Sequence, residues 1–398
     1  MMYLYLFNPD NDLALGNNSP YYQPPASARQ MAADLAVLPA WVAPCGESMV
    51  AVSGKESAEA WTRGRGPAPS IRWVTLDEGV ASCHAIRPWG WNAALVQALK
   101  RLGAGEDLLP AAGLLAELRR LSSRQRAVEV MAERPRDACF CGASQICRSL
   151  DEIDFALQAG SPTGRMLLKA PWSGSGKGLR WVDGTKMDGP ARNWCAHVLA
   201  KQEAVVVEPG YRRVADVALE FYAAGGKLSF FGYSLFLTDE NGAYRGNRLL
   251  SDRRIEEELE ACLPAGTLAK ARQFLLGQLG RMLPSDYDGC LGVDMMVCRF
   301  EDEPCFRLHP CVEINLRMNM GVVAHGLYSR WLSPASEGIF RIDSFSAPTL
   351  LQADHEQQQS AHPLVMRDGR IVSGYVSLVP VGATTRYRAA VWVHPVSG

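Results

Sequence analysis

Short runs rich in β-branched and aromatic residues predict strands at Tyr3 to Phe7 and Ile71 to Leu76. Between and after them the apolar spacing becomes helical, with Asn92 as N-cap of a helix from Ala93 to Leu102 that Gly103 stops. The first 110 residues therefore read as a small α/β domain. Helices follow at Ala111 to Leu121 and, capped by Ser122-Ser123-Arg124, to about Ala132. Beyond them come a short segment at Ala138 to Cys141, a capped helix from Asp151 to Gln158, and strands at Met166 to Ala170, Ala204 to Glu208, Val217 to Ala223 and Leu228 to Leu237. A helical span from Arg253 to Leu283, broken by Pro264, leads to a strand pair at Cys290 to Phe300 and Phe306 to Arg317. Two strand-like runs, Ile371 to Leu378 and Arg388 to His394, end the chain, and the Gln-rich patch Glu356 to Ser360 reads as a solvated loop. No internal repeat is visible.

Composition narrows the function classes. The chain has 398 residues, 47% of them hydrophobic, which suits about three ordinary domains with real cores. Forty-one basic against 42 acidic residues leave a net charge of -1 and no bulk attraction to nucleic acid or anionic membranes. Apolar stretches such as Ala32 to Pro44 are broken by Asp34 and Pro39, far short of the roughly 18 residues that span a bilayer. Met1 to Phe7 lacks the basic region and long apolar core of a signal peptide. Eleven cysteines, odd in number and scattered, suit a reducing cytoplasm. Cys139, Cys141 and Cys147 are close in sequence, but no second half with ligand spacing follows to make a thiolate metal site.

Lysine is scarce, and two of the eight lysines, Lys169 and Lys177, flank one loop: Leu167-Leu-Lys169-Ala-Pro-Trp-Ser173-Gly174-Ser175-Gly176-Lys177-Gly178-Leu-Arg-Trp-Val182. Small residues let backbone N–H groups surround phosphate oxygens, and the lysines add charge. A Walker loop needs a glycine where Pro171 stands and Ser or Thr where Gly178 stands, so this is a different device. Strand, glycine loop and strand make a hairpin whose tip can fold over a triphosphate; a flexible surface hairpin is the plainer alternative. Lys169 lies within an apolar strand, where an unpartnered ammonium is costly.

The second constellation is Gly292-Val-Asp294 followed by Val312-Glu313-Ile-Asn315-Leu-Arg317. A period of two puts Glu313, Asn315 and Arg317 on one strand face. A turn at Glu301-Asp-Glu-Pro304 brings Asp294 opposite or nearly opposite Glu313. Two carboxylates and an amide oxygen are hard ligands of the kind Mg²⁺ prefers, and Arg317 suits a phosphate or acyl-phosphate oxygen. The alternative is an exposed antiparallel strand with solvated polar residues.

Over about residues 120 to 330 these motifs, in this order and spacing, resemble the ATP-grasp superfamily. The resemblance implies an α+β fold: two α+β subdomains that clasp ATP, at 111–203 and 204–335, preceded by the α/β domain at 1–110 and followed by C-terminal strands at 336–398 packing on the core. It implies that Lys169 binds the α and β phosphates, and that Ser173, Gly174, Ser175, Gly176 and Gly178 form the flap. Glu208 and Tyr211 fall in the adenine-reading hinge, and Asp216 near the ribose, with Glu220 on the same face as its competitor. Asp294, Glu313 and Asn315 resemble Mg²⁺ ligands, and Arg317 and Lys177 the catalytic cations. Arg124 stands where many members carry a further nucleotide-binding lysine. The implied cofactors are ATP and Mg²⁺, and the implied reaction is ADP-forming ligation of a small carboxylate to an amine or similar nucleophile. A phosphotransferase and a non-catalytic nucleotide-binding module are the other readings. The expected partners are small molecules, with no nucleic acid and no membrane; the oligomeric state stays open, a homodimer among the options.

Other residues read two ways. Asn8-Pro-Asp10-Asn-Asp12 ends the first strand, where α/β sheets place ligand loops, yet Asn, Asp and Pro are also plain turn residues. Arg87-Pro-Trp89-Gly-Trp91 suits a substrate platform or a packing anchor. Arg245, Arg248, Arg253 and Arg254 suit an acidic substrate or a solvated charge run, and His325 is close enough to Arg317 to border a site.

Overall fold

The computed structural model describes residues 1–63, 66–174, 178–239 and 242–396. Three sheets organise it. The first holds β1 (Tyr3–Leu6), β2 (Ser48–Ala51), β3 (Arg72–Val74) and β4 (Ala85–Pro88) in the order β3-β2-β1-β4, all parallel. Parallel strands need crossovers, and helices such as Lys55–Thr62 and Leu76–Ser82 supply them. Leu4, Met49, Val74, Ile86 and Leu99 form the core beneath. Asn92 caps the helix Ala93–Arg101 by accepting the Leu95 N–H, as its sequence position predicts.

The second sheet, antiparallel, has the order β5-β8-β6-β7, with β5 (Gln145–Cys147), β6 (Arg165–Lys169), β7 (Leu179–Asp183) and β8 (Val205–Pro209). Helices Leu150–Leu157 and Gly189–Gln202 cover one face through Ile153, Leu157, Cys195 and Val198. The segment Ala138 to Cys141 makes one bridge, Phe140 to Leu308, and the strand itself forms later, at β5.

The third sheet has nine antiparallel strands in the order β13-β12-β9-β10-β11-β14-β17-β16-β15. Its members are β9 (Arg212–Ala224), β10 (Lys227–Thr238), β11 (Tyr244–Leu249), β12 (Gly289–Arg299), β13 (Phe306–Asn315), β14 (Ser336–Ser344), β15 (Val365–Arg367), β16 (Arg370–Ser377) and β17 (Tyr387–Pro395). Helices Asp252–Glu260 and Thr267–Met282, separated at Pro264 as expected, pack on one face through Ile255, Leu259, Leu268, Leu275 and Leu279. Residues beyond 335 extend this same sheet, since β14 pairs with β11 from Gly246↔Arg341 to Leu249↔Gly338.

The Gln-rich patch is not a loop. It belongs to the helix Pro348–Ala361, because Gln, Glu and Ala are good helix formers whatever their solvation. Leu351 is fully buried, and Gln358 accepts the Trp392 indole N–H at 2.9 Å.

Candidate functional site

The floor of the site is the face of the nine-stranded sheet opposite Val293, Met295, Val297 and Ile314, which are buried in its core. The β12–β13 register places Asp294 directly opposite Glu313 and Gly292 opposite Asn315. On the other flank β9 places Glu220 against Gly292, Ala218 against Asp294 and Asp216 against Met296. Paired residues share a face, so Asp216, Asp294 with Glu313, and Glu220 follow one another along the strands.

Two facing carboxylates with no cation between them repel. Burial, then the charges of Glu313 and Glu220, push the Asp294 carboxyl up to about 8, against the hydrogen bond from Asn315 and the Arg317 charge. Asn315 Nδ2 donates to Asp294 at 3.1 Å and its Oδ1 accepts from Arg317 at 2.9 Å. This donor set fits Mg²⁺: two carboxylates and an amide oxygen, with the remaining positions left to phosphate and water. Among the described residues no group of three or more His, Cys, Asp or Glu side chains is placed to hold a metal, the Cys139, Cys141 and Cys147 neighbourhood included.

Glu220 shares the face of Asp216, as expected, and stands one step beyond Asp294, further from Tyr211 along β9, buried between two glycines. A Cβ at Gly292 would come within 2.7 Å of its Oε2, and one at Gly321 within 2.0 Å of Oε1. Ser234 Oγ donates to it at 2.8 Å and Asn319 Nδ2 at 2.9 Å. Burial outweighs these bonds and pushes its carboxyl up to about 7.

The roof is the β6–β7 hairpin. Its register sets Lys169 beside Leu179 and Leu167 beside Trp181, all four lining the cleft, while Met166, Leu168 and Val182 enter the core. Sequence reasoning passed over Leu167, Leu179, Trp181 and Met296, apolar walls suited to a flat ring; the period of two in these strands was the available signal. Of the predicted flap, Ser175, Gly176 and Lys177 fall outside the described residues. At its base Gly178 O accepts from Ala170, and a Cβ at Gly178 would lie 2.1 Å from Ser173 Oγ. Arg124, buried at the start of the helix Arg124–Ala132, donates to Ala170 O at 2.8 Å and Ser173 Oγ at 2.5 Å, and pairs with Glu313 at 3.0 Å. It ties the flap base to the carboxylate hairpin.

Lys169 Nζ meets the Glu208 carboxylate at 2.7 Å, both side chains 5% exposed. Burial would raise the Glu208 carboxyl, but the Lys169 charge, with help from His309 and the Lys169 and Ser144 hydrogen bonds, holds it below the usual carboxylate range. Tyr211 lines the cleft beside them and its hydroxyl accepts the Ala143 N–H at 2.9 Å. Asp216 accepts from Thr238 Oγ1 at 2.6 Å, and burial raises its carboxyl.

The first domain also reaches the site. Asp12 takes Arg317 in a two-pronged ion pair, Nε to Oδ1 at 2.9 Å and Nη2 to Oδ2 at 2.6 Å, so the Asn8 to Asp12 segment, whose end opens the helix Asn11–Asn17, does face the cleft through Pro9 and Asp12. Trp89 packs edge-on to Phe7 and its carbonyl accepts Met318 N–H, an anchor between domains, although it borders the cleft. His325 instead meets Asp252 at 3.3 Å on the helix Met320–Trp331. Arg245, Arg248, Arg253 and Arg254 are each paired with a nearby carboxylate.

Lys169, Glu208, Glu220, Asp294, Glu313 and Arg317 line one cleft of about 1210 Å³ that also takes in Trp181, Tyr211, Asp12, Arg341 and Trp392; His325, Arg248, Arg253 and Arg254 are not among its lining residues. No protein-family model matches the chain, and no curated protein matches its sequence. Solved structures do. N5-carboxyaminoimidazole synthetase from Staphylococcus aureus complexed with ADP is 11% identical at a TM-score of 0.51, over all of this chain and 94% of that one. The biotin carboxylase from Campylobacter jejuni, in a beta-gamma-ATP complex, is 12% identical at 0.52, over 98% and 87%. N5-carboxyaminoimidazole synthase from Aspergillus clavatus, in complex with ADP and 5-aminoimidazole ribonucleotide, is 10% identical at 0.53, over 99% and 93%. At such identities the likeness is one of architecture, and these neighbours are ATP-grasp enzymes: the chain has the ATP-grasp fold.

Proposed function

We propose that the protein is an ATP- and Mg²⁺-dependent ligase that joins a small carboxylate to an amine or similar nucleophile through an acyl phosphate, releasing ADP and phosphate. The observation that carries this reading is the register of Asp294 against Glu313, with Arg124, Arg317 and Lys169 around the same cleft. The neighbours described with ADP or ATP support it.

Asp294, Glu313 and the Asn315 oxygen would hold Mg²⁺, whose charge, when bound, offsets that of the phosphates. Leu167, Trp181 and Met296 would wall the adenine, with Glu208 and Tyr211 at its edge and Asp216 near the ribose. Lys169 and Arg124 face the phosphates, and Ser173, Gly174 and Gly178 carry the flap with Ser175, Gly176 and Lys177. Arg317 orients the carboxylate, one oxygen of which attacks the γ-phosphorus as ADP leaves. The amine then attacks the acyl carbon, phosphate departs, and the nitrogen gives up a proton. Positioning and charge complementarity supply most of the rate in such transfers.

The cysteine usage supports a cytoplasmic setting. Among the described residues no helix is long and apolar enough to cross a membrane. Small molecules are the proposed partners, and a homodimer is compatible with the fold. The test is incubation with MgATP and pooled carboxylates and amines. Acceptor-dependent release of ADP and phosphate is expected, with a new condensed mass. AMP with pyrophosphate would refute the acyl-phosphate route, and a phosphorylated product without free phosphate would mean phosphotransfer.

A further inference from the structure

The Asp12 to Arg317 pair bridges 305 positions of sequence and sits beside the proposed metal ligands. Arg317 Nη1 donates to Met318 O at 3.2 Å and Nη2 to Asn315 Oδ1 at 2.9 Å, so the edge of its fork that can take a whole carboxylate is the edge Asp12 holds. Both side chains line the cleft, 17% and 18% exposed. The flap base is close: a Cβ built on Gly174 would lie 3.6 Å from Asp12 Oδ2. Asp10, the N-cap of the helix that carries Asp12, is a second carboxyl nearby in the chain, raised by burial and then by the Asp12 charge.

A carboxylate that reaches Arg317 must displace Asp12. A simple anion would leave Asp12 with no counter-charge in a poorly solvated place, and stranding one member of such a pair is costly. A bare cation would strand Arg317 in the same way. A ligand carrying both charges exchanges partners without leaving either side chain unpaired. Asp12 and Arg317 are in direct contact, so the ligand's two charges must be near neighbours too, as they are when one carbon separates ammonium from carboxylate.

We propose that the carboxylate substrate is an α-amino acid, its carboxylate on Arg317 and its ammonium on Asp12. This rests on the ligase reading and names the substrate class of the same site.

The test is calorimetric titration of the protein, saturated with Mg²⁺ and a non-hydrolysable ATP analogue, with L- and D-α-amino acids and their desamino counterparts. At least one amino acid should bind about tenfold or more tightly than the acid lacking its amino group, a differential in the range of one charge-assisted hydrogen bond. Asp12→Asn should remove that preference while leaving analogue affinity unchanged, and Asp12→Glu, which keeps the charge, should restore part of it. Equal binding of amino and desamino acids, or a preference that survives Asp12→Asn, overturns the proposal. So does analogue binding with no amino acid bound. Failure to bind the analogue itself instead overturns the ligase reading, and the amino-acid assignment falls with it.

Discussion

Lys169→Met separates two roles that the cleft assigns to one lysine. Its ammonium lies 2.7 Å from Glu208, both side chains nearly sealed from solvent. Removing one partner of such a pair leaves an uncompensated buried charge and should cost about 3–5 kcal/mol of stability. Lys169→Met with Glu208→Gln removes both charges, and Ser144 can still donate to the amide oxygen, so the double variant should recover most of that loss. Urea denaturation of the wild type, both single variants and the double variant gives the coupling directly. The pair also sets a pH dependence. The Glu208 carboxyl is held below its ordinary value in the folded protein. Its stabilising contribution is therefore present above the unfolded carboxylate range and is lost as pH falls through the lower folded value. Nucleotide binding is the second readout. A lysine that donates to phosphate supplies about 1.5–3 kcal/mol, so the folded double variant should bind MgATP roughly 10- to 150-fold more weakly. A stable double variant with wild-type affinity would make Lys169 a structural counter-ion only. A Lys169→Met cost within the scatter of surface substitutions would mean that Glu208 is not charged in the folded protein.

Three further outcomes follow from the same geometry. In metal-free protein the Glu220 carboxyl titrates near 7 when folded against an ordinary 4.5, so it costs stability progressively as pH rises between those values. Glu220→Gln should therefore match the wild type near the lower end and exceed it by up to about 3 kcal/mol above the upper end; parallel stability curves would contradict this. Asp294→Asn removes a carboxyl that burial, and then the Glu313 and Glu220 charges, make costly to ionise, and should raise the melting temperature in chelator while abolishing the stabilisation given by Mg²⁺ with ADP. Retained Mg²⁺ stabilisation would place the ion elsewhere. Gly178→Ala forces a Cβ against Ser173, which holds Arg124, and should cost about 1–3 kcal/mol and weaken ATP binding. Unchanged melting and affinity would show that the flap base yields freely.

What was legible in the sequence was local. A turn at Glu301 to Pro304 pairs its flanking strands, and a period of two then decides which side chains share a face; counting from the turn alone would set Asp294 against Cys311, and an irregularity between Asp294 and Met296, which the sequence does not mark, shifts the pairing to Glu313. The lysine in the β6 strand was legible for a similar reason, because a buried ammonium demands a partner, and Glu208 is that partner. The order of the nine strands was not. The pairing of β11 with β14 joins segments about ninety residues apart, and neither carries a mark that selects the other. Glu220 was legible as sharing the Asp216 face, but alternation gives the face and not the position relative to other strands; its neighbour Gly292 becomes informative only once the register is known.

The same contrast bears on specificity. The groups proposed for the nucleotide and metal sit on paired strands of two sheets and at the start of the helix Arg124–Ala132 beside them. Asp12 lies in the first turn of the helix Asn11–Asn17, which follows a turn after β1, and its role depends on how one domain docks on another. Trp89, edge-on to Phe7 and with its carbonyl accepting the Met318 N–H, helps to fix that docking one residue from Arg317. Trp89→Ala keeps that carbonyl bond but empties a place in the core Trp89 shares with Phe7, Val323 and Leu327, and should therefore disturb binding of the carboxylate substrate more than binding of ATP, because Lys169 and Arg124 lie outside that core.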